Sequence, residues 1–279
     1  MRKHKHDYDK IIRFYQDGDF YCKGFTKYSA AYVITNEDLR VSTGLSDLKG
    51  ANVLTVAASG DHPIFYKLGG AAHVDTFDIS FCAKAIMDIK TAAIPVLARF
   101  EYVKLIDRLH YNPRIRHVQN FAKIQSAIPA ETQEFIQSTP GCRLFSRDCP
   151  PTQYASYLPD KQEYSQLKKL INEPFGFIWT GVDNLHKHLA KKYDVINLSN
   201  IFNYIPEFGH QMKILQSLEP YLSPGGMIVV YTHIRYNGLE RAAASIADWA
   251  KCSHIERPHT LSGGQQRTGV MVFVVQKRR

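Results

Sequence analysis

Val53-Leu54-Thr55-Val56-Ala57-Ala58-Ser59-Gly60-Asp61-His62-Pro63 is followed, one helix-length later, by His73-Val74-Asp75-Thr76-Phe77-Asp78-Ile79-Ser80. The first stretch is a β-branched apolar run that ends in a tight turn of small residues. The second is a strand that ends in a carboxylate, Asp78, eighteen residues after Gly60. This is the ground plan of a βαβ nucleotide site: a small turn brings backbone close to a ligand, and an acid at the tip of the second strand takes ribose hydroxyls. The pattern predicts strands over 52–57 and 73–78, with a helix over 62–69 between them. Pro63 falls in the first turn of that helix, where a missing N–H costs nothing.

Working outward, Ala83, Ile86, Met87, Ile89 and Ala93 recur at helical spacing, which predicts a long amphipathic helix from Ser80 to about Ala93. From 100 to 174 the pattern changes to helical stretches near 101–110, 130–138 and 161–172, with loops at Tyr111-Asn112-Pro113 and Asp148-Cys149-Pro150-Pro151. This reads as an insertion, of the kind that builds a lid or pocket wall. Beyond it the α/β rhythm returns. Strands are expected at 176–179, 193–199, 225–231 and 268–275, with helices at 184–191, near 207–220 and at 239–251. The expected fold is therefore α/β, a doubly wound and mostly parallel sheet of six or seven strands with right-handed crossovers. Residues 49–279 form this domain, with the helical insertion 100–174. Residues 1–48 form a helical, aromatic cap (Phe14, Tyr15, Phe20, Tyr21, Phe25, Tyr28, Tyr32), in which Asn36-Glu37-Asp38 opens a short helix capped by Thr35 or Asn36.

The turn at 57–61 has one glycine and is not GxGxxG. Passage of a pyrophosphate over a helix start needs the fuller glycine set, and Asp61 would repel it. S-adenosylmethionine (SAM) carries a sulfonium, a ribose and an amino-acid tail but no phosphate, and suits this turn better than NAD does. A tight turn with no ligand is the plain structural alternative. Asp78 is assigned to the ribose, the alternative being a cap for the following helix. Asp183 is placed to meet the adenine, or to N-cap the helix after it. Ser199, Asn200, Asn203 and Tyr204 follow the central strand, where ligands bind in open α/β sheets. The alternative for Ser199 and Asn200 is satisfying turn backbone.

Other motifs carry less. Leu261-Ser262-Gly263-Gly264-Gln265 spells an ATPase signature, but no GxxxxGK[ST] loop accompanies it, and it sits in a hairpin-like turn before the last strand. The pairs His4/His6 and His186/His188 have i, i+2 spacing, which shares no helix face, so no metal site is expected. The cysteines are odd in number and scattered, which suits reduced thiols. Lys and Arg total 35 against 26 Asp and Glu, a net charge of +9 that permits anionic partners, RNA or a lipid surface, though the charge is spread along the chain. No apolar run approaches the roughly 18 residues of a membrane span, and no secretory signal opens the chain, so the cytoplasm is the expected location.

With these residues in place, the chain resembles the class I SAM-dependent methyltransferase superfamily. Within it, the chain is similar to the branch that includes the diacylglycerol 3-amino-3-carboxypropyltransferases of betaine-lipid synthesis. The resemblance is carried by Val53 to Asp61, by Phe77-Asp78-Ile79 with Ile89 to Ile94, and by Leu198-Ser199-Asn200-Ile201. It implies a seven-stranded sheet with the last strand antiparallel and SAM over its C-terminal edge. It also implies Ala58, Ser59, Gly60 and Asp61 at the methionine moiety, Asp78 at the ribose, Ile79 at the adenine, and Ser199 and Asn200 at the reactive end. The expected activity is transfer of a methyl or 3-amino-3-carboxypropyl group from SAM to a small-molecule acceptor, with Tyr204 or Asn203 near that acceptor. The competing class is a non-catalytic protein of the same fold that binds RNA or a protein partner.

Overall fold

The computed structural model describes residues 31–35, 37, 39–111, 120–138, 158–205, 207–232, 250–260 and 266–277. Seven strands form one sheet: β1 (Asn52–Val56), β2 (His73–Asp78), β3 (Gly176–Trp179), β4 (Tyr193–Ser199), β5 (Leu222–Thr232), β6 (Ala250–Thr260) and β7 (Gln266–Lys277). Their order is β3-β2-β1-β4-β5-β7-β6. The first five run parallel, while β7 is antiparallel to both β5 and β6. The helices are α1 (Leu39–Thr43), α2 (Asp61–Leu68), α3 (Phe81–Val96), α4 (Arg99–Tyr111), α5 (Phe121–Ile124), α6 (Ala130–Ser138), α7 (Lys161–Leu170), α8 (Val182–Leu185) and α9 (Phe208–Leu218).

β1 is the centre of the sheet, paired on one side to β2 (Val53 with Val74) and on the other to β4 (Val53 with Val195). A parallel strand covered on both faces needs apolar residues facing both ways. Val53 accordingly packs with Val74, Val195 and Val229 on one face, while Leu54 and Val56 pack with Phe77, Ile196 and Val230 on the other.

Ser80 opens α3 by accepting a hydrogen bond from the Cys82 amide at 3.2 Å, so the helix cap is Ser80 and not Asp78. α3 is buried almost all round because it lies between the sheet and the insertion. Its Ile86, Ile89 and Ala93 share a core with Tyr102 and Leu105 of α4, Phe135 of α6 and Leu167 of α7. Phe81 meets Phe135 edge-on at 4.9 Å and Trp179 at 5.3 Å. The described part of the insertion thus clads α3.

The sequence expectations depart from the structure at several points. The helix expected at 184–191 is the shorter α8 with a 3-10 turn over His186–His188. The helix expected at 239–251 falls mostly outside the described residues, but Ala250 and Lys251 already belong to β6. Among the described residues β6 pairs only with β7, and its register shifts between Arg257 and His259, around Pro258. An edge strand with a proline at an irregularity carries no alternating apolar signature. Residues 1–30 of the aromatic cap, residues 112–113 and 148–151 of the quoted loops, and residues 261–265 also lie outside the described residues, while Tyr111 ends α4. Thr260 and Gln266, on either side of 261–265, are paired antiparallel.

Candidate active site

A cavity of about 380 Å³ opens at the C-terminal ends of β1, β2 and β4 and beside the turn after β3. This is where the crossover helices diverge to opposite faces of the sheet, leaving a crevice. Among the described residues its wall carries two carboxylates, Asp78 and Asp183, and no lysine, arginine or histidine.

Asp78 ends β2 half-buried at the cavity wall. Its Oδ2 accepts the Ala58 amide at 3.0 Å and its Oδ1 the Ser80 amide at 2.8 Å. A carboxylate offers about four acceptor positions, so these amides do not exhaust it. Burial raises its pKa to about 6, against the lowering effect of the amides of Ser80, Ala58 and Ile79. Ala58 adopts φ 45° to aim its amide at Asp78 and also lines the cavity. Ile79, 37% exposed, lies beside it, its carbonyl held by the Trp179 indole N–H at 2.9 Å.

The rest of the first turn faces inward. Gly60 has φ 81°, and a Cβ there would stand 2.8 Å from the Met87 Cα, so this glycine lets the turn pack against α3. Asp61 is 2% exposed. Its Oδ2 accepts the Thr35 amide at 2.9 Å and the Ser59 hydroxyl at 2.8 Å, and its Oδ1 pairs with the buried ammonium of Lys90. Ser59, Gly60 and Asp61 therefore do not line the cavity, contrary to the sequence expectation. The ion pair with α3 draws them into the core.

At the end of β4, Ser199 has φ 52° and its amide donates to Asn197 Oδ1 at 2.8 Å. Ser199 lines the cavity while its hydroxyl donates to buried Glu37 Oε1; Glu37 Oε2 lies 3.1 Å from His62 Nε2. Asn200, Ile201 and Tyr204 also line the cavity, whereas Asn203 does not. The Tyr204 phenol is pushed up to about 12 by burial first, then by the Tyr32 hydroxyl and the charge of Glu37. It is a proton donor at neutral pH and no base. At the rim, Asp183 faces the cavity but its carboxylate is bonded to His210 Nε2, while Gly181 occupies the N-cap of α8.

Sequence reasoning missed Glu37 and His62, whereas Tyr32, one of the aromatics of the expected cap, lines the cavity. Glu37 sits between Asn36 and Asp38, where three polar residues read as a solvated helix start. Only the fold shows that it is 2% exposed and tied to a residue 162 positions away.

No family model and no curated protein matches the chain. Solved structures are similar in chain course. Precorrin 8W decarboxylase from Methanobacterium thermoautotrophicum is 11% identical, with 90% of this chain and 96% of that chain covered and a TM-score of 0.45. N-methyltransferase NodS from Bradyrhizobium japonicum is 10% identical over 86% and 92%, with a TM-score of 0.41. An rRNA methylase from Streptococcus thermophilus is 10% identical over 88% and 99%, with a TM-score of 0.38. Likeness at this level carries no functional assignment, which rests on the site itself.

Among the described residues no cluster of three or more His, Cys, Asp or Glu could hold a metal ion. Nor is any described helix long and apolar enough to cross a membrane.

Proposed function

We propose that the chain is a transferase that binds SAM in this cavity and moves its methyl or 3-amino-3-carboxypropyl group to an acceptor. One observation carries the reading. The acid at the tip of β2 is open to the crevice, while the helix start that would take a phosphate is closed by its own buried ion pair. A pyrophosphate requires free amides and a positive helix N-terminus. Here Asp61 supplies a carboxylate at the first position of α2, and Thr35 and Lys90 hold it there.

The residues present fit an adenosyl sulfonium. About 380 Å³ lies within the usual range of small-molecule sites, about 300–1,000 Å³. The Asp78 carboxylate on the cavity wall suits the ribose hydroxyls, and Ile79 and Val182 offer apolar flanks for a base. Asp183 stands at the adenine end; Ser199 and Asn200 supply polar groups at the other. Bound SAM would supply carbons already activated by the sulfonium, so this chain's task is to align an acceptor and exclude water. Tyr204, with its phenol protonated, would donate a hydrogen bond to that acceptor.

Titration with SAM, S-adenosylhomocysteine and NAD tests the proposal; binding of the first two without NAD supports it. Mass spectrometry of the by-product then separates the two transfers. S-adenosylhomocysteine means methyl, and methylthioadenosine means aminocarboxypropyl.

A further inference from the structure

The cavity wall is assembled from parts of unequal firmness. Val56, Phe77 and Asp78 sit at strand ends held by the ladders of β1, β2 and β3, and Ser80 and Ala83 belong to the buried start of α3. The segment before α1 is pinned as well. Val33 and Ile34 are fully buried in the core that α3 shares, and the Thr35 amide is bonded to Asp61. Tyr32 immediately precedes that pinned stretch and lines the cavity. Tyr204 lines it from a distant part of the chain, at the end of the 3-10 turn Ile201–Tyr204 that follows β4. The hydroxyls of Tyr32 and Tyr204 are hydrogen-bonded to each other, and Tyr204 is 48% exposed. Here the wall is joined side chain to side chain, where elsewhere it is joined by backbone ladder and core.

We propose that the Tyr32–Tyr204 hydrogen bond is the gate of this cavity, which breaks to let the adenosyl ligand pass and re-forms behind it. This rests on the adenosyl reading above. A site that aligns an acceptor and excludes water has to close over its cofactor, and local opening occurs where it gives up least. Parting the strand ends would break backbone hydrogen bonds, and moving Val33 or Ile34 would expose core. Turning the half-exposed Tyr204 side chain gives up a neutral hydrogen bond whose two hydroxyls find water instead. Tyr32 is then a positioning residue that acts through Tyr204. The same bond is made over the empty and the filled cavity. Weakening it therefore changes how fast the ligand passes, not how tightly it is held.

The test follows S-adenosylhomocysteine binding to the whole chain by surface plasmon resonance, in wild type, Tyr32→Phe, Tyr204→Phe and the double variant. Each substitution keeps the ring and removes the bond. In Tyr32→Phe the association and dissociation rates should both rise about fivefold, the effect of losing a neutral hydrogen bond, while Kd stays within about twofold. Tyr204→Phe should match it, and the double variant should go no further, because the two hydroxyls act as one joint. Unchanged rates in Tyr32→Phe would overturn the proposal. So would a rise in dissociation alone, which means a lost ligand contact, or rate effects that add in the double variant. Should Tyr32→Phe not fold, Tyr204→Phe decides by the same two rates. If wild type does not bind S-adenosylhomocysteine, the adenosyl reading fails and takes this inference with it; tight binding with unaltered rates in the variants sinks the gate alone.

Discussion

Two carboxylates flank the first crossover of the sheet, and they do opposite things. Asp61 opens α2 and is closed in on every side, by Lys90, the Ser59 hydroxyl and the Thr35 amide. Asp78 ends β2, is held by backbone amides, those of Ala58 and Ser80 among them, and lines the cavity. The pairing partner decides the role. A buried cation makes a carboxylate part of the scaffold, whereas amides fix its direction and leave it available to a ligand.

The contrast breaks most visibly at Lys90. Lys90→Met should leave Asp61 buried and unpaired and cost about 3–5 kcal/mol of stability, measured by urea unfolding. Adding Asp61→Asn in the same chain should recover much of that loss. If the single variant is as stable as wild type, Asp61 is not the closed group described here. Gly60→Ala strikes the same half of the turn. A side chain at φ 81° that also meets the α3 backbone should cost about 1–3 kcal/mol in the same assay.

The open half should respond to pH. The folded-state value of Asp78, about 6, lies above its usual 3.8. The unfolded chain therefore ionises first, and ligand-free stability from this group falls as pH rises from about 4 to 6. A diol needs the ionised form as acceptor, so SAM affinity should be flat above about pH 6 and drop about tenfold per unit below it. Calorimetric titrations between pH 5 and 7.5 read this slope, which Asp78→Asn should abolish. The smallest effect belongs to the exposed pair at the rim. His210→Ala should shift stability by no more than about 1 kcal/mol, checked by thermal melting.

The same contrast marks what the sequence makes legible. β1 and β4 lie where their apolar runs put them, because strands buried on both faces leave a nearly unbroken signature. Asp78 is legible for a similar reason: its place depends only on the end of its own strand. Asp61 is not. Its orientation is set by Lys90, twenty-nine residues away, and no local pattern distinguishes an inward acid from an outward one. Glu37 is hidden by the same long-range logic, and β6 by being a polar edge strand. The insertion shows helices at the expected places, yet its described part clads α3 and contributes nothing to the cavity wall. Its destination depends on a helix buried all round, which a periodicity argument reads only as amphipathic.

The most direct test of the account is calorimetric titration of SAM and NAD into wild type and Asp78→Asn at pH 7.5. SAM should bind wild type and weaken by about ten- to a hundredfold in the variant, the effect of losing hydrogen bonds to a charged group. NAD should bind neither. Equal SAM affinity in the two proteins, or tight binding of NAD, would contradict it.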